Sequence, residues 1–333
     1  MSVILAADVG GTKTNLGYFR CEADALTMVE RSSVPTSKAV RLEAIVEAFV
    51  AEHPAPIRAA CFGVAAPVVN GRSHLTNLPW IVEPSTLQRV LGLKTVWLIN
   101  DLEATAYGIS ALPPEAFATL QAGQPQPRGT IAVIAAGTSL GEATLYWDRE
   151  GDRALASEGG HADFAPRNAL EWALCEFLLK RYARVSYARV LSGPGLGHIY
   201  AFLKATGRGS EPAWLSEELA TGDPVAKISA YGLNGRVALC QQALDLFVSL
   251  YGAEAGNLAL RTLPRGGLYV GGGIAPKVLQ KLRDGAFLRA FTMKESLAEV
   301  LSTIPVHVIL DDQAALYGAA RHGWACSHRS LTR

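Results

Sequence analysis

A few short stretches of this 333-residue chain carry the residue types that chemistry on phosphates and hydroxyls needs. Directly after the apolar run VILAA, residues 8 to 14 read Asp-Val-Gly-Gly-Thr-Lys-Thr. Glycines there can adopt positive φ and admit a close neighbour, while Thr12 and Thr14 offer hydroxyls, so Gly10, Gly11 and Thr12 suit phosphate oxygens. Asp8, at the end of the expected strand, can hold a hydrated Mg2+. The same residues also suit a tight β-hairpin between VILAADV and NLGYF. A second stretch, Ala136-Gly137-Thr138-Ser139-Leu140-Gly141 after TIAVI, repeats this pattern and places Gly137 and Thr138 as phosphate contacts, again with a plain hairpin as the alternative. No Walker A sequence is present, because Lys13 follows Thr12 rather than glycine, and no kinase-type GxGxxG loop follows a strand.

Between these turns lies Asn100-Asp101, after TVWLI and before LEATAYGISAL. A carboxylate there faces the positive end of the helix dipole, which favours its charged form. One reading is a helix cap. The other is that Asp101 accepts the proton of an attacking hydroxyl in phosphoryl transfer, with Asn100 orienting the same substrate. Further on, Ser157-Glu158-Gly159-Gly160-His161-Ala162-Asp163-Phe164 sets Glu158 and His161 on either side of two glycines. That arrangement lets a carboxylate and an imidazole meet the paired hydroxyls of a sugar; a polar loop with a satisfied histidine is the alternative. A metal reading is weaker, since no further His or Cys stands at ligand spacing. Finally, LYVGGGIAPKVL runs from a strand through Gly271, Gly272 and Gly273 into a helix expected to begin near Pro276, a flat surface suited to a nucleotide or simply a turn into a helix. Gly318, Ala319 and Ala320, on the helix expected to close the chain, would permit close packing across a hinge.

The elements that must position these residues alternate. Apolar strand-like runs at 3 to 7, 59 to 66, 95 to 99, 130 to 136, 268 to 271 and 306 to 310 are separated by amphipathic segments, which predicts an α/β architecture. With 49% apolar residues the chain can bury a large core, and its length favours two domains around a cleft. The stretch LPPEAFATLQAGQPQPRG, 112 to 129, reads as the connection between them. Lys plus Arg number 31 against 30 Asp plus Glu, so no global field recruits nucleic acid or an anionic membrane. The five cysteines are scattered without metal-ligand spacing and read as reduced thiols. With no basic N-terminal region and no uninterrupted apolar helix, the expectation is a soluble, cytoplasmic protein.

Taken in order, DVGGTKTN, VAAPV, TNLPW, INDLEATAYGI, AAGTSLG, SEGGHADFAP, RVLSGPGLGHIY and LYVGGGIAPK resemble the bacterial glucokinase family, in the superfamily of hexokinases, actin and heat-shock chaperone ATPases. The resemblance implies an actin-like ATPase (ribonuclease H-like) fold: a small α/β domain over 1–110, completed by a C-terminal helix at about 313–333, and a large one over 111–312. It implies an ATP-dependent kinase that phosphorylates the 6-hydroxyl of glucose at the entry to glycolysis, with Asp8 organising Mg2+. In it Gly10 to Thr12, Gly137 and Thr138 hold phosphates, Asp101 is the base and Gly271 to Gly273 lie by adenosine. Asn100, Glu158 and His161 match sugar-binding positions, and Asn77 belongs to a segment near the sugar. Members are commonly dimers, so a homodimer is expected. The chain departs from the family in carrying Ala188 where a glutamate usually contacts the sugar near its anomeric end, with Tyr187 beside it as a candidate to fill the gap. Lys13, Ser139 and Leu102-Glu103 are further departures. These leave two alternatives: a kinase of another hexose or an amino sugar, and a sugar-sensing protein with a weakened site. The cysteine-rich zinc motif and helix-turn-helix of related repressors are absent.

Overall fold

The computed structural model describes residues 2–22, 25–75, 78–149 and 151–329. By compactness the chain divides into one unit of 1–116, 143–156 and 311–333, and a second of 117–142 and 157–310.

In the first unit the strands are β1 (Val3–Val9), β2 (Lys13–Glu22), β3 (Ala25–Pro35), β4 (Ile57–Val64), the short β5 (Val68–Val69), β6 (Arg72–His74) and β7 (Ile81–Val82), and β8 (Val96–Asn100). Five of them form a sheet in the order β3-β2-β1-β4-β8, and β5, β6 and β7 form a small sheet of their own. The run VILAADV is almost continuously buried because it is the middle strand, pairing antiparallel with β2 on one side and parallel with β4 on the other. The edge strand β3 alternates exposed and half-buried residues, so its sequence carries little hydrophobic signal. The helix Leu42–Glu52 crosses from β3 to β4, and Pro84–Leu91, with proline in its first turn and Gly92 at φ 64° as its cap, leads to β8. Side chains from the sheet and these helices build one core, including Leu5, Leu16, Phe49, Phe62 and Leu87.

The last helix, Ala314–Arg329, lies in this unit across the sheet, with Gly323 against Cys61 and Ile4. It also meets the helix Asp101–Gly108 at glycine contacts. A Cβ on Gly318 would stand 1.6 Å from the Ala104 carbonyl oxygen, and one on Gly108 would stand 2.0 Å from the Ala314 carbonyl oxygen. The small residues of this segment therefore serve packing within one unit, against the helix that begins with Asp101, rather than the hinge expected from the sequence.

The second unit holds β9 (Phe117–Gln121), β10 (Ile131–Ala136), the start of β11 (Leu140–Asp148), the end of β12 (Gly151–Ser157), β13 (Gly267–Gly271) and β14 (Val306–Ile309). The sheet order is β12-β11-β10-β13-β14-β9. The stretch 112 to 129 contains the edge strand β9, paired antiparallel with β14, and the division between the two units falls within it, after Ala116. Its prolines are tolerated because they lie outside the strand, and an edge strand pairs on one side only. The helix Ala238–Thr262 is buried along most of its length, which its lack of a polar face predicts. At its middle, Tyr251 accepts from the Ala136 amide at 3.0 Å and donates to the Ile134 carbonyl at 3.2 Å, tying the helix to the end of β10.

Among the described residues no helix is long and apolar enough to cross a membrane.

Candidate active site

In the first unit, Asp8 lies at the carboxyl end of β1 and pairs across to Asn15 in β2. Asn15 Nδ2 donates to Asp8 Oδ2 at 3.1 Å, and Ser33 Oγ donates to Asn15 Oδ1 at 2.9 Å, so the carboxylate is fixed from β2 and β3. Burial pushes the Asp8 carboxyl above its ordinary value, against the hydrogen bond from Asn15 and the charge of Lys13; Asp312 adds to the rise. A carboxylate so placed is stabilised by a bound cation.

The turn that follows is indeed a β-hairpin, so the plain alternative describes its geometry correctly. Its carbonyls, however, are turned away from solvent. Thr36 Oγ1 donates to the Gly10 carbonyl at 2.9 Å, the Thr36 amide donates to the Thr12 carbonyl at 2.9 Å, and Thr14 and Thr36 hydroxyls meet at 3.0 Å. Gly11 and Thr12 are exposed, and no hydrogen bond among the described residues takes up their amides. A hairpin locked in this way presents N–H groups to an anion. Neither Asn15 nor Thr36 was singled out in the sequence, because a polar residue inside a strand and a threonine after one carry no local pattern.

Two strands from Asp8, Asn100 closes β8, whose register with β4 sets Asn100 beside Val64 and Ile99 beside Gly63, while Asp8 pairs with Gly63 from the other side. Asp8 and the start of the helix Asp101–Gly108 therefore share one edge of the sheet, about 10 Å apart by two strand spacings. Asn100 is the helix cap: its Oδ1 accepts from the Leu102 amide at 2.9 Å, and Glu103 Oε2 accepts from the Asn100 amide at 2.9 Å. Asp101 is the first helical residue, its Oδ1 2.9 Å from the Leu102 amide. The cap reading of this pair therefore describes Asn100, and Asp101 stands as the first helical residue beside it. Glu103, noted above as a departure, completes the capping box, a signal legible as Asn100 followed three residues later by an acid. Asn77 lies outside the described residues.

In the second unit, Glu158 and His161 flank a single 3-10 turn, with His161 Nε2 3.9 Å from Glu158 Oε2 and both side chains more than half exposed. The glycines between them have a different reason from the one the sequence suggested. A Cβ on Gly160 would stand 2.0 Å from the Leu140 carbonyl oxygen, and one on Gly159 would stand 2.1 Å from Glu142 Oε2, so both are needed to seat the turn on β11. The segment beyond pairs with 185 to 187: the Phe164 amide donates to Val185 and the Tyr187 amide to Ala162. Tyr187 does not fill the place of the missing glutamate. It is 5% exposed, its ring packs edge-on against Phe164, and its hydroxyl accepts from Asn257 Nδ2 at 3.0 Å.

The turn carrying Gly137 and Thr138 lies beside the other glycine segments of this unit. Ala135 pairs with Gly271, Gly272 has φ 80°, and a Cβ on it would stand 2.4 Å from the Ala136 carbonyl oxygen. The Gly193 amide donates to the Gly137 carbonyl at 2.8 Å, which brings the start of the helix Gly193–Ala205 to the same place; Ser192 caps it, its Oγ 3.0 Å from the Gly195 amide. This gives SGPG a structural task that its sequence alone did not reveal. After Gly273 the chain runs through turns, and the regular helix starts at Leu279 rather than near Pro276, because proline sits in the loose turn and not at the first helical position.

The first unit thus gathers Asp8, Gly10, Gly11, Thr12, Asn100 and Asp101, and the second gathers Glu158 with His161, and Gly137 and Thr138 with Gly271, Gly272 and Gly273. Among the described residues no group of three or more His, Cys, Asp and Glu side chains could hold a metal ion. A lone carboxylate such as Asp8 does suit Mg2+, which keeps most of its water and binds substrate phosphates.

Residues 5–324 match the family model of glucokinase. A glucokinase of Nostoc punctiforme is 41% identical over 96% of this chain and 98% of its own length. Among solved structures, a glucokinase from an Antarctic psychrotroph is 30% identical with a TM-score of 0.85, covering 99% of each chain. A ROK-family glucokinase from Streptomyces griseus, solved with glucose and AMPPNP, is 22% identical with a TM-score of 0.65 over 97% of this chain and 99% of its own. The fold is therefore the actin-like ATPase fold, and the protein is of the sugar-kinase class, phosphotransferases with an alcohol acceptor. Within that class the chain belongs to the glucokinase family.

Proposed function

We propose that this chain transfers the γ-phosphoryl group of ATP to the 6-hydroxyl of glucose, with Asp101 as the base. The observation that carries the reading is Asp101 itself: a carboxylate at the first turn of a helix, oriented by the Asn100 cap, on the same sheet edge as Asp8 and the exposed amides of Gly11 and Thr12. Asp101 takes the hydroxyl proton as the sugar oxygen attacks phosphorus and ADP departs. In a loose transition state this positioning matters more than basicity. Asn100, Asn77, Glu158 and His161 bind the sugar; Gly10, Gly11, Thr12, Gly137 and Thr138 hold phosphates, where fixed amides stabilise developing charge; Gly271, Gly272 and Gly273 lie by adenosine. Mg2+, held by Asp8 through water, would neutralise phosphate charge. ATP and glucose accord with the ligands of the Streptomyces griseus relative. We also propose a homodimeric, cytoplasmic enzyme with no nucleic-acid or membrane partner, built as two domains.

The test is a coupled assay for glucose 6-phosphate with ATP, Mg2+ and glucose raised to saturation. Turnover is expected; its absence with glucose, alongside turnover with mannose, fructose or glucosamine, would move the substrate, and silence across the panel would favour a sensing protein. Ala188 favours keeping these sugars in view. It lies half-buried in the turn Tyr187–Arg189, where a glutamate is usual in the family. A charged hydrogen bond contributes about 1.5–3 kcal/mol, so Ala188→Glu is expected to lower KM for glucose by roughly tenfold or more. An unchanged or raised KM would mean that the pocket is built around alanine.

A further inference from the structure

We propose that Glu142 is a positioning residue for the sugar-binding turn Glu158–His161, acting through its ion pair with Arg261 to set the affinity for the hexose. The inference rests on the assignment of Glu158 and His161 to sugar binding made above.

Glu142 is 1% exposed on β11, and its Oε2 lies where a side chain on Gly159 would begin. The turn therefore rests on this carboxylate. Arg261 Nη2 donates to Glu142 Oε2 at 3.2 Å and to Glu254 Oε1 at 2.6 Å. Glu254, fully buried, accepts from Asn257 Nδ2 at 2.7 Å, and Asn257 also binds the Tyr187 hydroxyl and Lys294. A single polar cluster thus underlies both the turn with Glu158 and His161 and the segment with Ala188. Among the described residues Glu142 Oε1 is buried without a hydrogen-bond partner, and its Oε2 takes the guanidinium of Arg261, with the Glu254 carboxylate alongside. Such a group is stable in place when charge holds it and loosens when that charge is removed.

Burial first, then the neighbouring Glu254 carboxylate, raises the Glu142 carboxyl from 4.5 to about 7, against the pull of Arg261. Among the described residues the charged and titratable groups that act on it are Arg261, Glu254 and Tyr251 from the long helix and, through Asn257, Tyr187 and Lys294; the backbone of the turn at Gly159 lies against its Oε2. Above pH 7 the ionised carboxylate pairs with Arg261 and is held against the turn; below it the protonated acid gives up that ion pair and turns its proton to Glu254, so the fold gains stability while the turn loses its fixed support.

The experiment is calorimetric titration of glucose into the full-length protein at pH 5.5, 7 and 8.5, comparing wild type with Glu142→Gln, a neutral mimic of the protonated acid. The Kd ratio is expected near one at pH 5.5 and roughly fivefold at pH 8.5. The variant is also expected to melt higher than wild type at pH 8.5. A group whose folded-state pKa is raised contributes stability fully present below its unfolded value and lost as pH rises through the folded one, here between 4.5 and about 7. A weakened Kd in a more stable protein excludes misfolding. A ratio that does not change with pH would overturn the proposal. Should Glu142→Gln fail to fold, Glu142→Met, also neutral and of similar length, serves: it is expected to weaken binding at pH 8.5 more than at pH 5.5, and a uniform effect or none overturns the proposal equally. Glu158→Gln separates the two readings. If it leaves Kd unchanged, the sugar assignment falls and the inference with it; if it weakens binding while the Glu142→Gln ratio stays flat, only the inference falls.

Discussion

Asp101→Asn is expected to lower kcat for glucose phosphorylation by roughly a hundredfold to ten-thousandfold, the range lost with a general base, while glucose binding changes little. The substitution isolates the proton-accepting role because asparagine keeps the shape of the side chain at the first helical position. The Asn100 cap, the Glu103 bond to the Asn100 amide and the pairing of β8 with β4 do not depend on the Asp101 charge. The measurement is kcat and KM from the coupled assay beside a Tm for each protein. A variant that keeps kcat within a few fold of wild type would remove Asp101 from the base position, and since Asp8 is the other carboxylate on that sheet edge, the assignment would have to be rebuilt around it.

Gly318→Val is expected to cost stability and activity together, at a residue that touches no substrate. Even the Cβ of alanine would enter the Ala104 carbonyl oxygen and stand 2.6 Å from the Gly108 nitrogen. Both atoms are backbone of the helix that begins with Asp101, so the clash cannot be relieved by turning a side chain. The helices must part, and overpacking of this kind costs about 1–3 kcal/mol or more, equivalent to a Tm lower by roughly 2–12 °C. Because the helix moves as a rod, Asp101 at its start shifts with it. We expect kcat to fall by roughly tenfold or more with a smaller change in KM, since misplacing a positioned group acts on the transition state. Gly318→Ala should show the same effects at smaller size, and Gly108→Ala, facing the Ala314 carbonyl oxygen, should reproduce them from the other helix. Wild-type Tm and kcat in Gly318→Ala would show that the helices do not meet this closely.

These two residues also mark how far the sequence could be read. Asp101 was legible because its signal is local: an apolar strand, a capping residue, an acid and a helical pattern follow within a few positions. The glycine-bearing strand exits were legible for the same reason, and so were the main parallel strands, whose apolar runs are continuous because both faces are covered. Gly318 was visible as a small residue, yet its partner, Ala104, is more than two hundred positions away and no periodicity points to it. The strands β3 and β9 were not identified, because an edge strand is half exposed and needs no apolar run. Glu103 could have been read as part of a capping box; Asn15, Thr36 and Glu142 could not, since each acts on a residue brought to it by strand pairing.

By itself the sequence determined the α/β class and singled out the two glycine-bearing strand exits, Asp101, Glu158 and His161, because backbone conformation at a strand exit and the chemistry of a side chain are properties of a few neighbouring residues. Only the tertiary structure decided how those groups are held: that Asp8 is gripped from β2, that Gly159 and Gly160 seat their turn on Glu142 and Leu140, that Tyr187 turns inward to Asn257, and that Gly318 sets the helix of Asp101. Each of these is a contact between residues distant along the chain, and its energy depends on distance and burial, which a linear order of residues does not contain.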